Sequence, residues 1–406
     1  MILCRVWTEA GVRLASKIVE YQGERRLEVT VPAIPALGYA SFALRPEDGS
    51  DMPRPKEAVT LSDRVIESQY YKLAFNEKGQ IVSLFDKEAK REVIPQGQVA
   101  NELQAFEDRP MNYDAWDIDL YYQEKQYPVD ELSKWEVLED GPDRVVVGLE
   151  WKFLDSTIRQ RISVYAESRA IDFATEIDWQ EHSILLKAAF PVAVRSTKAT
   201  YEIQYGNVER PTHYNTSWDW AKFETVAQKW VDLSERNYGV SLLNDCKYGH
   251  DIKNNVMRLT LLKSAIEPDP QADQGLHQFT YGLLPHQGDW YEAKTTQAGY
   301  ELNFPLRGVI SSSAQGTLAS SGHLLQVESE STILDTVKKA EDSQELVLRF
   351  YEFGNRTDQI SVTFPHTLRG VRECNLMEKA DKDVEFQGNR FTFTLNPYEI
   401  RTFKIK

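Results

Sequence analysis

Apolar and polar residues alternate along most of this chain in short runs bounded by turn-forming residues. Such runs, rich in β-branched and aromatic residues, are typical of strands with one buried face. No long amphipathic helical pattern competes with them, so we predict an all-β fold. The predicted strands are residues 26–31, 70–75, 81–85, 144–153, 157–165, 170–179, 188–194, 346–352, 360–364, 384–386, 390–395 and 400–405.

Two segments have a distinct local pattern. The sequence from Asn76 to Gly79 separates two predicted strands, so we expect residues 70–85 to form a hairpin that turns at Gly79. In residues 217–233 aromatic and apolar positions recur at a spacing that fits a short helix and an irregular loop equally well.

Two loose stretches suggest domain boundaries. Residues 45–55 are rich in proline and charge, and residues 311–322 are rich in serine and glycine. We therefore predict an N-terminal β segment or small β domain over 1–55, a large β domain over 56–310, and a small β-sandwich over 311–406.

Composition narrows the partners and the compartment. A formal net charge of -15 repels nucleic-acid backbones and anionic membranes, so we expect neither as a partner. The three cysteines, Cys4, Cys246 and Cys374, form no paired spacing, which indicates a reducing compartment. With no signal-peptide pattern, a cytoplasmic location is expected. The strand-like opening residues suggest a start partway through a longer polypeptide.

The histidines and acidic residues do not predict a metal site. The seven His are scattered, and none begins a His-x-Asp or His-Glu-x-x-His spacing, so we expect no metal in this chain and assign no catalytic residue. His277 and His286 lie in a strand pattern, where they are expected as edge or hydrogen-bonded core residues. The acidic, proline-containing residues 264–275 lack a calcium-loop register and are interpreted as structural.

Residues 113–119 are the first candidate for chemistry. Asp114 and Asp117 flank Trp116, and a sugar site needs both carboxylates that accept hydroxyl hydrogen bonds and an indole face that packs on a pyranose. The alternative is a turn in which aspartates cap backbone amides, and from spacing alone this alternative is the more frequent arrangement.

Residues 244–249 are the second candidate. They follow the apolar run 238–243 and carry Asn244, Asp245, Lys247 and Tyr248 on a strand-to-loop exit, a common place for functional side chains. Asp245 and Lys247 could equally form a solvated ion pair of little energetic weight. Cys246 has no neighbouring His or Cys in the sequence, so we do not expect a nucleophile there.

Several segments, in order along the chain, resemble the C-terminal half of glycoside hydrolase family 38 α-mannosidases, particularly the bacterial and cytosolic branch. The resemblance runs from about residue 30 to residue 341, and the last 60 or so residues match more loosely. The segments that carry it are 31–39, 113–119, 215–224, 229–235, 242–249, 267–273 and 279–286.

The resemblance implies a fold and an activity. Members of this family have a barrel-like catalytic domain, a helical bundle, and then β domains that include a large galactose-mutarotase-like supersandwich. The catalytic domain carries an Asp nucleophile for a retaining mechanism and a zinc ion held by His and Asp. No segment here matches those motifs, so we expect zinc in the missing catalytic domain of the same polypeptide and no turnover by this chain alone.

The resemblance also implies a substrate, a mannose-containing oligosaccharide, and a role for both candidate loops in completing the sugar pocket. We therefore expect the two loops at one edge of the large sandwich. A stand-alone carbohydrate-binding or mutarotase-like protein and a purely structural scaffold are the competing hypotheses, and a homo-oligomer stays open. The expected substrate-binding residues are Asp114, Trp116, Asp117, Asn244, Asp245, Lys247 and Tyr248.

Overall fold

The computed structural model describes residues 4–21, 24–46, 58–311 and 316–406. The chain divides into two compact units: one is Pro55–Arg307, and the other joins Met1–Arg54 to Gly308–Lys406. We call them the large unit and the small unit. The division into three domains drawn from the sequence stays a prediction.

Strands dominate both units. Those before residue 55 are β1 Cys4–Trp7, β2 Ser16–Tyr21, β3 Glu24–Val29, β4 Gly38–Ala40 and β5 Ala43–Pro46. Those of the large unit are β6 Thr60–Ser62, β7 Val65–Glu67, β8 Tyr71–Phe75, β9 Ile81–Asp86, β10 Arg91–Glu92, β11 Glu102–Glu107, β12 Gln126–Pro128, β13 Glu131–Asp140, β14 Arg144–Phe153, β15 Ser156–Tyr165, β16 Ile171–Trp179, β17 Ile184–Pro191, β18 Lys198–Ile203, β19 Gly206–Pro211, β20 Thr225–Val226, β21 Trp230–Glu235, β22 Tyr238–Asn244, β23 Gly249–Lys253, β24 Val256–Lys263 and β25 Gly275–Gln287.

The strands after residue 307 are β26 Ser321–His323, β27 Gln326–Glu328, β28 Thr332–Lys339, β29 Leu346–Glu352, β30 Asp358–Thr363, β31 Val371–Cys374, β32 Ala380–Asp383, β33 Phe386–Gln387, β34 Arg390–Leu395 and β35 Ile400–Ile405. The helices in the described ranges are a 3-10 helix Leu120–Glu124, α1 Ser217–Ala221 and α2 Thr295–Asn303. Helix makes up 5% of residues and strand 52%, which confirms the predicted all-β fold. None of these helices is long and apolar enough to cross a membrane.

The large unit is built from three antiparallel sheets. A nine-stranded sheet has the order β13-β14-β15-β16-β25-β22-β21-β18-β19, a six-stranded sheet has the order β12-β11-β17-β24-β23-β20, and a five-stranded sheet has the order β10-β9-β8-β7-β6. All three contribute side chains to one core, including Ile162, Leu186 and Leu73. Burying these apolar faces against each other is the main stabilising contribution.

The predicted hairpin is confirmed as β8 and β9. Its turn has Gly79 at a φ of +79°, a backbone conformation that side chains rarely adopt. A Cβ at this position would lie 2.4 Å from Leu149 and 2.9 Å from Trp151, so the turn also needs glycine for space. In the segment 217–233, α1 covers only the first five residues. The rest contains β20 and the first part of β21, so neither a helix nor an irregular loop describes the whole segment.

The small unit contains a sandwich of a four-stranded sheet, β27-β30-β34-β33, and a five-stranded sheet, β28-β29-β35-β31-β32. Phe350, Phe393 and Phe403 pack together in its core. Strand β4 pairs antiparallel with β26, so residues from both ends of the chain share one sheet in this unit. The strand predicted at 384–386 is wrong in its bounds, because the pairing breaks between β32 and β33.

Candidate functional site

Both candidate loops lie at one end of the six-stranded sheet. Loop one, residues 108–119, follows β11, whose last residue Glu107 pairs with Ile184. In the next ladder Leu185 pairs with Lys263, the last residue of β24. Loop two, residues 244–249, enters β23 at Gly249, and β23 runs antiparallel to β24. The register therefore brings the two loops to the same sheet end, with β17 and β24 between them.

A buried charge cluster lies on the face of this sheet that is turned away from the core. Lys187 follows Leu186, which faces the core, so its side chain points to the opposite face. Its Nζ lies 2.8 Å from Asp251 Oδ2 and also contacts Glu224. Arg258 Nε lies 2.7 Å from Asp251 Oδ1. These four side chains, the charge cluster, pair two cations with two carboxylates.

The electrostatics of the charge cluster keep Lys187 protonated. Its side chain is fully buried, and burial by itself lowers the pKa of an ammonium group. The carboxylates of Asp251 and Glu224 outweigh burial and raise the pKa of Lys187 above its ordinary value. The ammonium group is therefore charged at neutral pH.

Aromatic rings close over the charge cluster. Tyr122, from the 3-10 helix, places its ring centroid 5.3 Å from Lys187 Nζ and 5.1 Å from the ring of Phe106. The ring centroid of Phe223 lies 6.2 Å from that of Tyr122. Phe223 belongs to residues 212–224, which connect β19 to β20 and which we call loop three. Loop three and the 3-10 helix are thus fixed to the sheet by rings and ion pairs.

Loop one uses its aspartates mainly to hold backbone. Asp114 Oδ2 accepts hydrogen bonds from the amides of Ile266 at 2.6 Å and Glu267 at 3.2 Å. This is the capping arrangement that the spacing of the residues left open, and it ties loop one to the acidic segment before β25. Asp117 is exposed and its amide donates to the carbonyl of Tyr113 at 2.9 Å. The Trp116 side chain is 71% exposed.

Loop two is held in the same way at its base. Asn244 is buried, and its side chain donates to the carbonyl of Gln228 and accepts from the amide of Lys247, both at 2.8 Å. Asp245 Oδ2 accepts from the amide of Thr280 at 2.8 Å. Asn244 therefore supports the loop from within.

Farther along loop two, side chains reach the surface. Lys247 Nζ lies 4.6 Å from the ring centroid of Phe279, and Tyr248 is exposed. Cys246 is a poor nucleophile here, because burial, together with the adjacent Asp245 carboxylate, raises the pKa of its thiol to about 11.

Contacts connect the two loops through β25. Asp114 binds the segment that leads into β25, and Thr280 and Phe279 of β25 contact loop two. Asp114, Asp245 and Lys247 thus contact β25 or the segment before it, while the contacts of the predicted residues with sugar stay a prediction. Exposed aromatic side chains on the three loops suit the apolar faces of sugar rings; they are Tyr113, Trp116, Trp218, Trp220 and Tyr248.

Sequence analysis missed the charge cluster. One signal was present: Lys187 interrupts the apolar run 184–191, where a lysine needs a buried partner. The partners could not be identified, because Glu224, Asp251 and Arg258 come from other segments.

Replacing Asp114 by alanine is expected to destabilise the large unit by about 1–2 kcal/mol, because two amides lose their acceptor. Asp117→Ala, the matched control on the same loop, should change stability by less than about 0.5 kcal/mol, since the Asp117 side chain is exposed. Urea unfolding followed by tryptophan fluorescence measures both. Equal effects would show that the Asp114 carboxylate does not support the loop.

Among the described residues no group of three or more His, Cys, Asp and Glu side chains could hold a metal ion. The resemblance places the zinc ion in a separate catalytic domain, and no chemical step in this chain is assigned to zinc.

Residues 66–271 match the pattern described as glycosyl hydrolases family 38 C-terminal domain, and residues 331–403 match the family 38 C-terminal beta sandwich domain. The chain belongs to glycosyl hydrolase family 38. The first match contains loops one, two and three, so all three loops lie in the family 38 C-terminal domain.

Two relatives named alpha-mannosidases align with most of the chain. Alpha-mannosidase G of Dictyostelium discoideum is 38% identical over 91% of the chain, and Alpha-mannosidase 2C1 of Homo sapiens is 36% identical over 90%. The family 38 chain described here spans only 34% and 36% of these two relatives, about a third of their length.

A crystal structure of an alpha-mannosidase from Enterococcus faecalis V583 has the same fold. It superposes with a TM-score of 0.83 at 16% identity, over 100% of this chain and 51% of that chain. At this identity the likeness concerns the fold alone.

Proposed function

We propose that this chain is the β-domain portion of a retaining α-mannosidase. The observation that carries the proposal is the alignment of about nine-tenths of the chain with relatives named alpha-mannosidases. In this proposal the nucleophile and the zinc ion belong to a catalytic domain in the rest of a longer polypeptide. The two units of the present chain support that domain, and the loops of the large unit contact the substrate.

The proposed substrate is a mannose-containing oligosaccharide. Exposed indole rings such as Trp116 would pack on the apolar face of a pyranose, while Asp117 and Asp245 would accept hydrogen bonds from its hydroxyls. Holding the sugar between these groups orients it without forming or breaking a bond, so the role proposed for this chain is positioning. Two free thiols, Cys246 and Cys374, agree with the proposed cytoplasmic location.

Hydrolysis of an aryl α-mannoside tests the proposal. The full-length polypeptide that contains this chain should release the aryl group, and the 406-residue chain alone should not. Turnover by the chain alone, abolished by a chelator, would overturn the assignment of chemistry to another domain. A full-length protein that binds mannoside but does not hydrolyse it would favour a carbohydrate-binding function.

In the full-length enzyme, Asp117→Ala and Asp245→Ala are each expected to lower kcat/KM about tenfold, equivalent to about 1.4 kcal/mol of transition-state stabilisation. The reason is the loss of a carboxylate hydrogen bond to a sugar hydroxyl. Steady-state kinetics measure the effect, and Asp140→Ala, on an exposed strand end, is the control. The Asp245 side chain also accepts a hydrogen bond from the amide of Thr280, so the melting temperature of Asp245→Ala must be compared with that of the natural enzyme. If both variants fold and their kinetics are unchanged, the two loops have a structural role and do not bind the sugar.

A further inference from the structure

The large unit contains a cavity of about 160 Å³ beside the charge cluster. It lies between β19, β23 and loop three, in a part of the unit that the sequence-based site prediction did not include. Polar and aromatic residues line it, among them Tyr201, Arg210, Tyr214, Asp219, Lys222 and Asp251.

Its size selects a ligand of one ring. Its volume is close to the roughly 150 Å³ of an apolar cavity that holds one benzene molecule, and it is partly open, so it suits a ligand with a single six-membered ring whose substituents reach the opening. Aromatic side chains supply apolar walls for such a ring: Tyr201 is buried, and Tyr214 has its ring centroid 6.4 Å from that of Trp220.

The charges of the residues that line the cavity favour a neutral ligand. Arg210 and Lys222 are cations, and Glu209 and Asp219 are anions. The carboxylate of Asp251 is already neutralised by Lys187 and Arg258. With charges of both signs at its wall, the cavity offers hydrogen-bond donors and acceptors without a strong field, which suits hydroxyl groups better than a phosphate or an ammonium group.

One donor of the wall is available for a ligand. Among the described residues Arg210 Nε is buried and has no hydrogen-bond partner. Its guanidinium carbon lies 5.2 Å from the ring centroid of Tyr201, and Nη2 has only a long 3.4 Å contact with the carbonyl of Val226. A buried donor without an acceptor is unfavourable, so a ligand hydroxyl oxygen at this place would satisfy it.

We propose that this cavity binds one neutral pyranose, a single mannose unit of the oligosaccharide substrate. The inference rests on the proposed function for the identity of the sugar. Arg210 donates to a ring hydroxyl, and Tyr214 covers the apolar face of the ring.

Titration of the 406-residue chain with methyl α-D-mannopyranoside, followed by NMR, tests the proposal. Saturable binding is expected with a Kd on the order of 1 mM, the range for a ligand of this size. Arg210→Met should weaken binding about tenfold or more, because the donor is lost while the aliphatic stem stays. Arg236→Met, at the exposed turn between β21 and β22, is the matched control and should bind as the natural chain does.

Tyr214→Leu is the second variant, and it should also weaken binding while melting at nearly the same temperature. Equal binding by all three variants, or no saturable binding by the natural chain, would overturn the proposal. Tighter binding of mannose 6-phosphate than of the methyl mannoside would overturn the assignment of a neutral ligand.

The two proposals fail separately. No mannoside binding by the chain, together with hydrolysis by the full-length polypeptide, would overturn the cavity and leave the α-mannosidase function in place. Binding that depends on Arg210, without hydrolysis by the full-length polypeptide, would support the cavity and overturn the proposed function.

Discussion

Lys187→Met is expected to destabilise the large unit by about 3–5 kcal/mol. The substitution removes from a buried ion cluster the ammonium group that pairs with Asp251 and Glu224. Methionine keeps most of the volume of the lysine stem, so the loss reports charge rather than a cavity. Arg258 still pairs with Asp251, while Glu224 keeps only the hydrogen bond from Thr260 Oγ1 at 2.5 Å. Urea unfolding followed by tryptophan fluorescence measures the difference.

Lys152→Met is the matched control for this experiment. Lys152 is 44% exposed on β14 and lies 3.6 Å from Glu150, so its removal should cost less than about 1 kcal/mol. If Lys187→Met were as stable as Lys152→Met, the charge cluster would not hold loop three and the 3-10 helix to the sheet.

We expect the free energy of unfolding of the large unit to fall by about 3 kcal/mol between pH 6.5 and about 4, because the side chain of His250 becomes protonated in the unfolded chain. Its side chain is fully buried, its Nδ1 lies 3.1 Å from the carbonyl of Tyr248, and burial lowers its pKa to about 4. The nearby Lys187 ammonium adds to this effect. Below pH 6.5 the unfolded chain binds a proton that the folded chain rejects. The stability is therefore complete above 6.5 and is lost on acidification.

Urea unfolding at a series of pH values measures this loss, and His250→Leu should flatten the profile between 6.5 and 4, because leucine carries no proton. Carboxylates of the chain also titrate at about pH 4, so the contribution of His250 is the difference between the two pH profiles. His182→Leu, in the exposed turn between β16 and β17, should leave the profile unchanged. The same slope in the natural chain and in His250→Leu would show that His250 is not held neutral.

Alternation of apolar and polar residues predicted the half-buried strands well. For β14 the predicted and observed bounds coincide, and β16 differs by one residue. The pattern failed at β17, predicted at 188–194 and found at Ile184–Pro191. Every residue of β17 is buried, because loops and rings cover the face that would otherwise meet solvent. A strand buried on both faces has no alternation to mark its ends.

The placement of loops one and two at one sheet end was predictable, while the part that their side chains play in a sugar site stays a prediction. The family resemblance indicated loops one and two as parts of a sugar pocket, and the strand register brings these loops to one end of the six-stranded sheet. The partner of Asp114 lies more than 150 residues away at Ile266, so spacing within the loop could not distinguish a capping aspartate from one that is open to a ligand. For the same reason the cavity near Arg210 had no signature in the sequence, since its wall combines β18, β19, β23 and loop three.

The pairing of β4 with β26 has a consequence for synthesis on the ribosome. Ala40 and Ser321 are partners, and the hydroxyl of Tyr39 donates to the carbonyl of Ala319, 280 positions later. At a translation rate of about 5–20 residues per second, the amino-terminal strands wait roughly 15 seconds to a minute for these partners. During that interval β4 presents an unpaired edge, while residues 55–307 emerge and begin to fold. Until Ser321–His323 emerge, the edge of β4 is therefore open to strand-edge misassociation and to chaperones that recognise it.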